Sequence, residues 1–129
     1  MREDTRRWVE FANMDLKLAK VALKNKIYIY AAYHAQQAVE KFLKSFLIEN
    51  NVPYPRTHDI KFLINQCKEI DKHFENLFKI KADKLTFYAI EARYPEAESE
   101  VSEEEAKEAV EIAEKVKKFV LEKLKGWKS

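Results

Sequence analysis

Ala31-Ala32-Tyr33-His34-Ala35-Gln36-Gln37-Ala38-Val39-Glu40-Lys41-Phe42-Leu43-Lys44-Ser45-Phe46-Leu47 is the stretch that decides the fold. Ala31, Ala35, Ala38, Val39, Phe42, Phe46 and Leu47 recur at steps of three and four or one apart, the signature of a single helix face. The residues on that face are small at first and large later, so a neighbouring helix can approach closely at one end. On the other side Tyr30, His34, Gln37, Lys41 and Lys44 follow at steps of four, three, four and three, which predicts one polar stripe. The spacing predicts a helix from Ile27 to about Asn50.

Working outward, Trp8, Phe11, Ala12, Leu18, Ala19 and Ala22 predict a first helix over about 3–24 with these residues inward. Asp15 falls within that stripe. A buried carboxylate without a partner costs several kcal/mol, so an ion pair with Lys41 or Arg93 is expected. Asn50 to Arg56 contains Pro53 and Pro55 and reads as a loop. Thr57 is the expected N-cap of a third helix over about 58–70, with Ile60, Leu63, Ile64 and Cys67 inward. Between Asp71 and Arg93 the residues Phe74, Leu77, Phe78, Leu85, Tyr88 and Ala92 suit one long helix or two short ones. Pro95 ends that run. Ser102 and Glu105 form a capping-box pattern that opens a last helix, with Ala106, Ala109, Ala113, Val116, Val120 and Leu124 inward. Gly126 and Trp127 follow it.

The composition agrees with this all-helical reading. The chain has 129 residues, one glycine and three prolines, too few turn formers for a many-stranded sheet, and a length suited to a single domain over 1–129. A net charge of +2 implies no general attraction to polyanions. Cys67 is the sole cysteine, which excludes a disulfide framework and suits a reducing, cytoplasmic compartment. No apolar run reaches the ~18 residues needed to cross a membrane. Three scattered histidines and one cysteine make no metal-ligand spacing, and no glycine-rich phosphate loop exists, so neither metal nor cofactor is expected.

Four blocks carry a resemblance: Ala12-x-x-Asp15-Leu16-x-x-Ala19, Tyr33 to Lys44, Thr57-His58-Asp59-Ile60, and Ala92-Arg93-Tyr94-Pro95. Together and in this order they resemble the HEPN domain family. That resemblance implies an up-and-down bundle of four to five helices that pairs as a homodimer. It also implies nucleotide or RNA binding, and a partner that is a minimal nucleotidyltransferase in a toxin–antitoxin-like pair.

Ribonucleases of the family resemble one another in an Arg-x4–6-His motif. With Arg93 as its arginine, the histidine would fall at Glu98, Ser99 or Glu100. The acid–base imidazole is missing there, and glutamates would repel RNA phosphates. The expected function is therefore a non-catalytic binding module. The alternatives are a toxin ribonuclease with an atypical site built on His34 or His58, and a regulator that binds only protein.

The expected nucleotide or RNA site comprises His34, Gln37, Lys41, His58, Arg93 and Tyr94. Lys41 would supply charge, His34 and Gln37 hydrogen bonds, Tyr30 a stacking face, and Arg93 a bidentate grip on phosphate. The competing reading of the α-helical stripe is a solvated face with a dimer contact. His58 could serve only local hydrogen bonding, and Arg93 could cap carbonyls.

Overall fold

The computed structural model describes residues 1–94 and 100–124. Its elements are α1 (Glu3–Lys24), α2 (Tyr28–Glu49), α3 (Ile60–Ile70), α4 (Asn76–Lys79), α5 (Thr86–Glu91) and α6 (Glu103–Lys123). Single 3-10 turns at Lys72–Glu75 and Ala82–Leu85 precede α4 and α5. There is no strand among the described residues. The fold is all-α, and α2 is its axis: α1 and α6 pack along it, while α3 and α5 close its remaining sides.

The alanines early in α2 explain the tight end of the bundle. Ala31 is fully buried against Ala22 of α1 and Ala106 of α6, where a larger side chain would force the helices apart. At the other end Phe42, Phe46, Leu47, Phe74 and Leu63 fill a wider core. Phe74 packs on Phe46 at 4.4 Å and on Phe119 at 4.9 Å between ring centroids.

Both long helices of the first hairpin stop without glycine. Ile27 N–H reaches Ala22 O (2.8 Å) and Lys26 N–H reaches Leu23 O (3.1 Å), the paired bonds of a Schellman ending. Lys26 takes the left-handed position, φ 62°. Asn51, φ 61°, does the same after α2, with Val52 N–H on Leu47 O and Asn51 N–H on Ile48 O.

Three expectations shift register. The inward face of α1 is Val9, Ala12, Leu16, Ala19 and Ala22, whereas Phe11 and Leu18 are about half exposed. The two apolar residues belong to an adjacent stripe with Met14 and Val21, one helical position away. The N-cap of α3 is Asp59, whose carboxylate accepts from Phe62 N–H, and not Thr57. Thr57 Oγ1 instead accepts from Asp59 N–H (3.1 Å), bending the chain into the cap. Lys44, placed on the polar stripe by its spacing, is buried, because Trp8 and Tyr54 close over it.

The segment after α3 resolves into two short helical runs broken at Lys81, which has φ 64°. Ser102 caps α6 with a complete capping box. Pro95, with Glu98 and Ser99, and the pair Gly126 and Trp127 lie outside the described residues.

Candidate nucleotide or RNA site

Two carboxylates organise the polar residues of α2. Asp15 of α1 receives Lys41 Nζ on one oxygen and meets His34 Nδ1 at 2.9 Å on the other. His34 and Lys41, seven residues or two turns apart, share one face of α2 and reach Asp15 from either side along the α1–α2 seam. Gln37, one turn before Lys41, donates to the Tyr33 hydroxyl at 3.0 Å. Tyr30 stands half exposed beside Leu18, Val21 and Ile27.

The second carboxylate is Glu40, only 3% exposed. Gln36 Nε2 donates to it at 2.7 Å, Lys44 Nζ at 2.9 Å, and His58 Nδ1 lies 3.0 Å away. A buried carboxylate is tolerated when a cation neutralises it and donors fill its lone pairs, and Glu40 meets both conditions. His58 Nε2 is in turn 3.1 Å from Arg93 Nη2. A guanidinium can only donate. Nε2 therefore accepts, and Nδ1 carries the proton toward Glu40. The result is a hydrogen-bonded chain from Arg93 through a neutral imidazole to a buried carboxylate.

This assigns the charges. Lys41 is balanced by Asp15 and Lys44 by Glu40. Arg93 faces a neutral nitrogen, so its charge is uncompensated by His58. Arg56, on the loop before α3, has no ion pair or hydrogen bond among the described residues. It lines a cavity of about 260 Å³ with Lys44, Tyr54, Thr57 and His58. A second cavity, of about 290 Å³, lies between Arg7, Trp8, Phe11 and Lys41. Trp8 and Lys44 join the two, since Lys44 Nζ sits 5.9 Å from the Trp8 ring and 5.6 Å from the Tyr54 ring. The arrangement is a row of basic groups interleaved with aromatics, suited to binding phosphate and stacking bases.

The sequence-predicted residues thus fall into separate groups. His58 and Arg93 meet directly, with Tyr94 exposed beside Arg93. His34 and Lys41 meet through Asp15. Gln37 bonds within its own helix. Sequence reasoning assigned no site role to Glu40, Trp8, Tyr54 or Arg56. The aromatic–basic alternation Tyr54-Pro55-Arg56-Thr57-His58 was the signal available.

No cluster of three or more ligating side chains suited to a metal occurs among the described residues. No described helix is long and apolar enough to cross a membrane.

The chain is 32% identical to "Putative toxin MJ1304" of Methanocaldococcus jannaschii, over 92% of this chain and 86% of that protein. Its fold matches the crystal structure of TT1696 from Thermus thermophilus with a TM-score of 0.86 at 32% identity, covering 95% of this chain and all of that one. ST0689, an archaeal HEPN homologue, matches in fold with a TM-score of 0.70 at 22% identity, over 95% of this chain and 98% of the other. The HEPN domain model matches residues 5–124. With nearly the whole chain inside that match, the protein belongs to the HEPN domain family.

Proposed function

We propose that this protein is a nucleotide- or RNA-binding module that does not cut its ligand and that acts with a partner of the minimal nucleotidyltransferase kind in a toxin–antitoxin-like pair. The observation that carries the binding reading is Arg93, whose guanidinium rests on neutral His58 and keeps its charge for an anion. The likeness to a relative named as a toxin supports the pairing. Absence of a histidine at 98–100 supports binding without cleavage. The reducing environment suited to lone, buried Cys67 supports a cytoplasmic setting.

The active form is a homodimer on this reading. Phe11, Met14, Leu18 and Val21 are each about half exposed along one side of α1, an apolar stripe of the kind that covers itself by association. The stripe ends beside Lys41 and Arg7, so pairing would set two basic rows near each other. Sedimentation should give twice the monomer mass, and a monomer at all working concentrations removes this part of the proposal.

The test of function is a titration with a nucleotide panel and a short single-stranded RNA, following affinity and RNA integrity together. Binding without cleavage, weakened at least about tenfold by Arg93→Ala, is the expected result. A second reading has one observation in its favour. Arg93 and His58 meet, and Glu40 orients the imidazole, as an acid–base site would require. RNA cleavage lost in His58→Ala establishes that reading instead. No binding to any probe leaves a protein-binding regulator.

A further inference from the structure

Tyr54 stands on the loop between α2 and α3, and two cavities share it. One is the cavity of about 260 Å³ holding Lys44, Arg56, Thr57 and His58. The other, of about 480 Å³, is walled by Trp8, Pro53, Asn51 and Arg2. Trp8 meets Tyr54 edge to face at 4.7 Å between ring centroids. Tyr54 as a whole is 37% exposed, and it offers an aromatic side chain at the junction of the two cavities.

The two sides differ in charge. On the smaller side Lys44 is neutralised by Glu40 inside the wall. Arg56 has no polar partner among the described residues, and Arg93 reaches the same His58 that lines the cavity. Thr57 Oγ1 accepts from Asp59 N–H, leaving its proton to donate outward. The nearest carboxylate on the loop, Asp59, is engaged at the α3 cap. Two guanidinium groups with no ion pair among the described residues, and a hydroxyl beside them, are a setting for a phosphate, which arginine grips with paired hydrogen bonds. On the larger side Asn51 Oδ1 accepts from Arg2 Nη1 at 2.6 Å, and the Asn51 amide N–H groups have no hydrogen-bond partner among the described residues. An exposed aromatic between a phosphate setting and an amide fits a nucleobase stacked on it.

We propose that Tyr54 and Arg56 form a subsite for one unpaired nucleotide, its base stacked on the Tyr54–Trp8 pair and its terminal phosphate held by Arg56 and Arg93. This rests on the nucleotide- or RNA-binding reading above and gives it a place and a ligand class. A base inside a duplex has both faces covered, so the ligand is single-stranded. Its terminal phosphate belongs either to a free mononucleotide or to an RNA end.

The experiment is calorimetric titration of the full-length protein with AMP, adenosine, ribose 5-phosphate, and a short oligoribonucleotide with and without a 5′-phosphate. Stacking contributes enough that ribose 5-phosphate should bind about tenfold more weakly than AMP, and Tyr54→Ala should impose a similar loss that Tyr54→Phe does not. Adenosine and Arg56→Gln should each lose about tenfold through the phosphate. AMP binding as tightly as the phosphorylated oligomer identifies a mononucleotide site, and preference for the phosphorylated oligomer identifies an RNA end. Melting curves establish that each variant folds. Should Tyr54→Ala not fold, the comparison of AMP with ribose 5-phosphate on the unaltered protein still decides the stacking. Folded Tyr54→Ala and Arg56→Gln proteins that bind as the parent does, while Arg93→Ala binds weakly, overturn the subsite and leave the functional reading standing. Failure of the parent to bind any probe overturns both.

Discussion

Asp15 and Glu40 do the same job in different surroundings. Each neutralises a lysine of α2 and meets a histidine, yet the side chains of Glu40 and Lys44 are 4% and 8% exposed, against 13% and 24% for Asp15 and Lys41. Burial raises the cost of a missing partner, because the charge left behind cannot turn to water. Glu40 is therefore chiefly structural, with a secondary role in orienting His58. Asp15 instead sets how much charge Lys41 presents to solvent.

The comparison breaks most visibly at Glu40. Glu40→Ala strands buried Lys44 and should cost about 3–5 kcal/mol of unfolding free energy in denaturant titrations. Joining it with Lys44→Met should recover most of that loss, since the pair together is nearly exchangeable for packed apolar atoms. A small loss in the single variant would mean that water reaches Lys44, and the contrast with Asp15 would disappear.

Asp15→Asn is the counterpart. Partial exposure of this pair limits the expected destabilisation to about 1 kcal/mol. Its larger effect is on binding, because Lys41 becomes an uncompensated cation next to Arg7. Affinity for single-stranded RNA should rise, and the slope of log K against log salt should steepen by about 0.7 for the one added phosphate contact. Unchanged salt dependence would place Lys41 outside the RNA path.

These two carboxylates also mark where the sequence could be read and where it could not. The α2 core was legible because its apolar spacing leaves one possible phase, and every residue expected inward is buried there. In α1 two apolar stripes run side by side, and Phe11 and Leu18 were drawn into the wrong one. Ala12, Ala19 and Ala22 were placed inward correctly, whereas Val9 and Leu16 on the same face were passed over in favour of Phe11 and Leu18. Asp15 stood out as a charge within an apolar run. Glu40 gave no such signal: a glutamate four residues before a lysine reads as an ordinary surface pair. Only Trp8 and Tyr54, distant in sequence, turn it into a buried one. The cavity lined by Tyr54 and Arg56 depends on that same long-range closure, so the sequence reading did not include these two residues in the candidate site.

A third carboxylate extends the series to an exposed joint. Asp71 follows α3, accepts from His73 N–H at 2.9 Å, and pairs with Lys123 near the end of α6 at 2.8 Å. The Lys123 ammonium, bonded to it, holds its carboxyl below the ordinary range, aided by the His73 backbone N–H. The ionised form is favoured in the folded state. Its contribution is therefore present above the unfolded-state value and disappears as pH falls through the lower folded value. Asp71→Ala should cost about 1 kcal/mol at neutral pH, as loss of a cap does, and the difference from the parent should vanish in acid. A difference that persists below that range would assign the loss to packing.

The smallest effect expected concerns the turn that brings Asp15 and Lys41 together. Lys26 holds a left-handed conformation at φ 62°, which costs a residue with a Cβ about 1 kcal/mol relative to glycine. Its exposed side chain makes no hydrogen bond or ion pair among the described residues. Lys26→Gly therefore removes strain at the expense only of the through-space attraction between Lys26 and Glu103, although the more flexible unfolded chain returns part of the gain. The net should be a stabilisation below about 1 kcal/mol, with the Asp15–Lys41 geometry and RNA affinity unchanged. If stability rises while affinity falls, the lysine charge, and not its backbone, is what that turn contributes, and the basic row extends to the end of the α1–α2 hairpin.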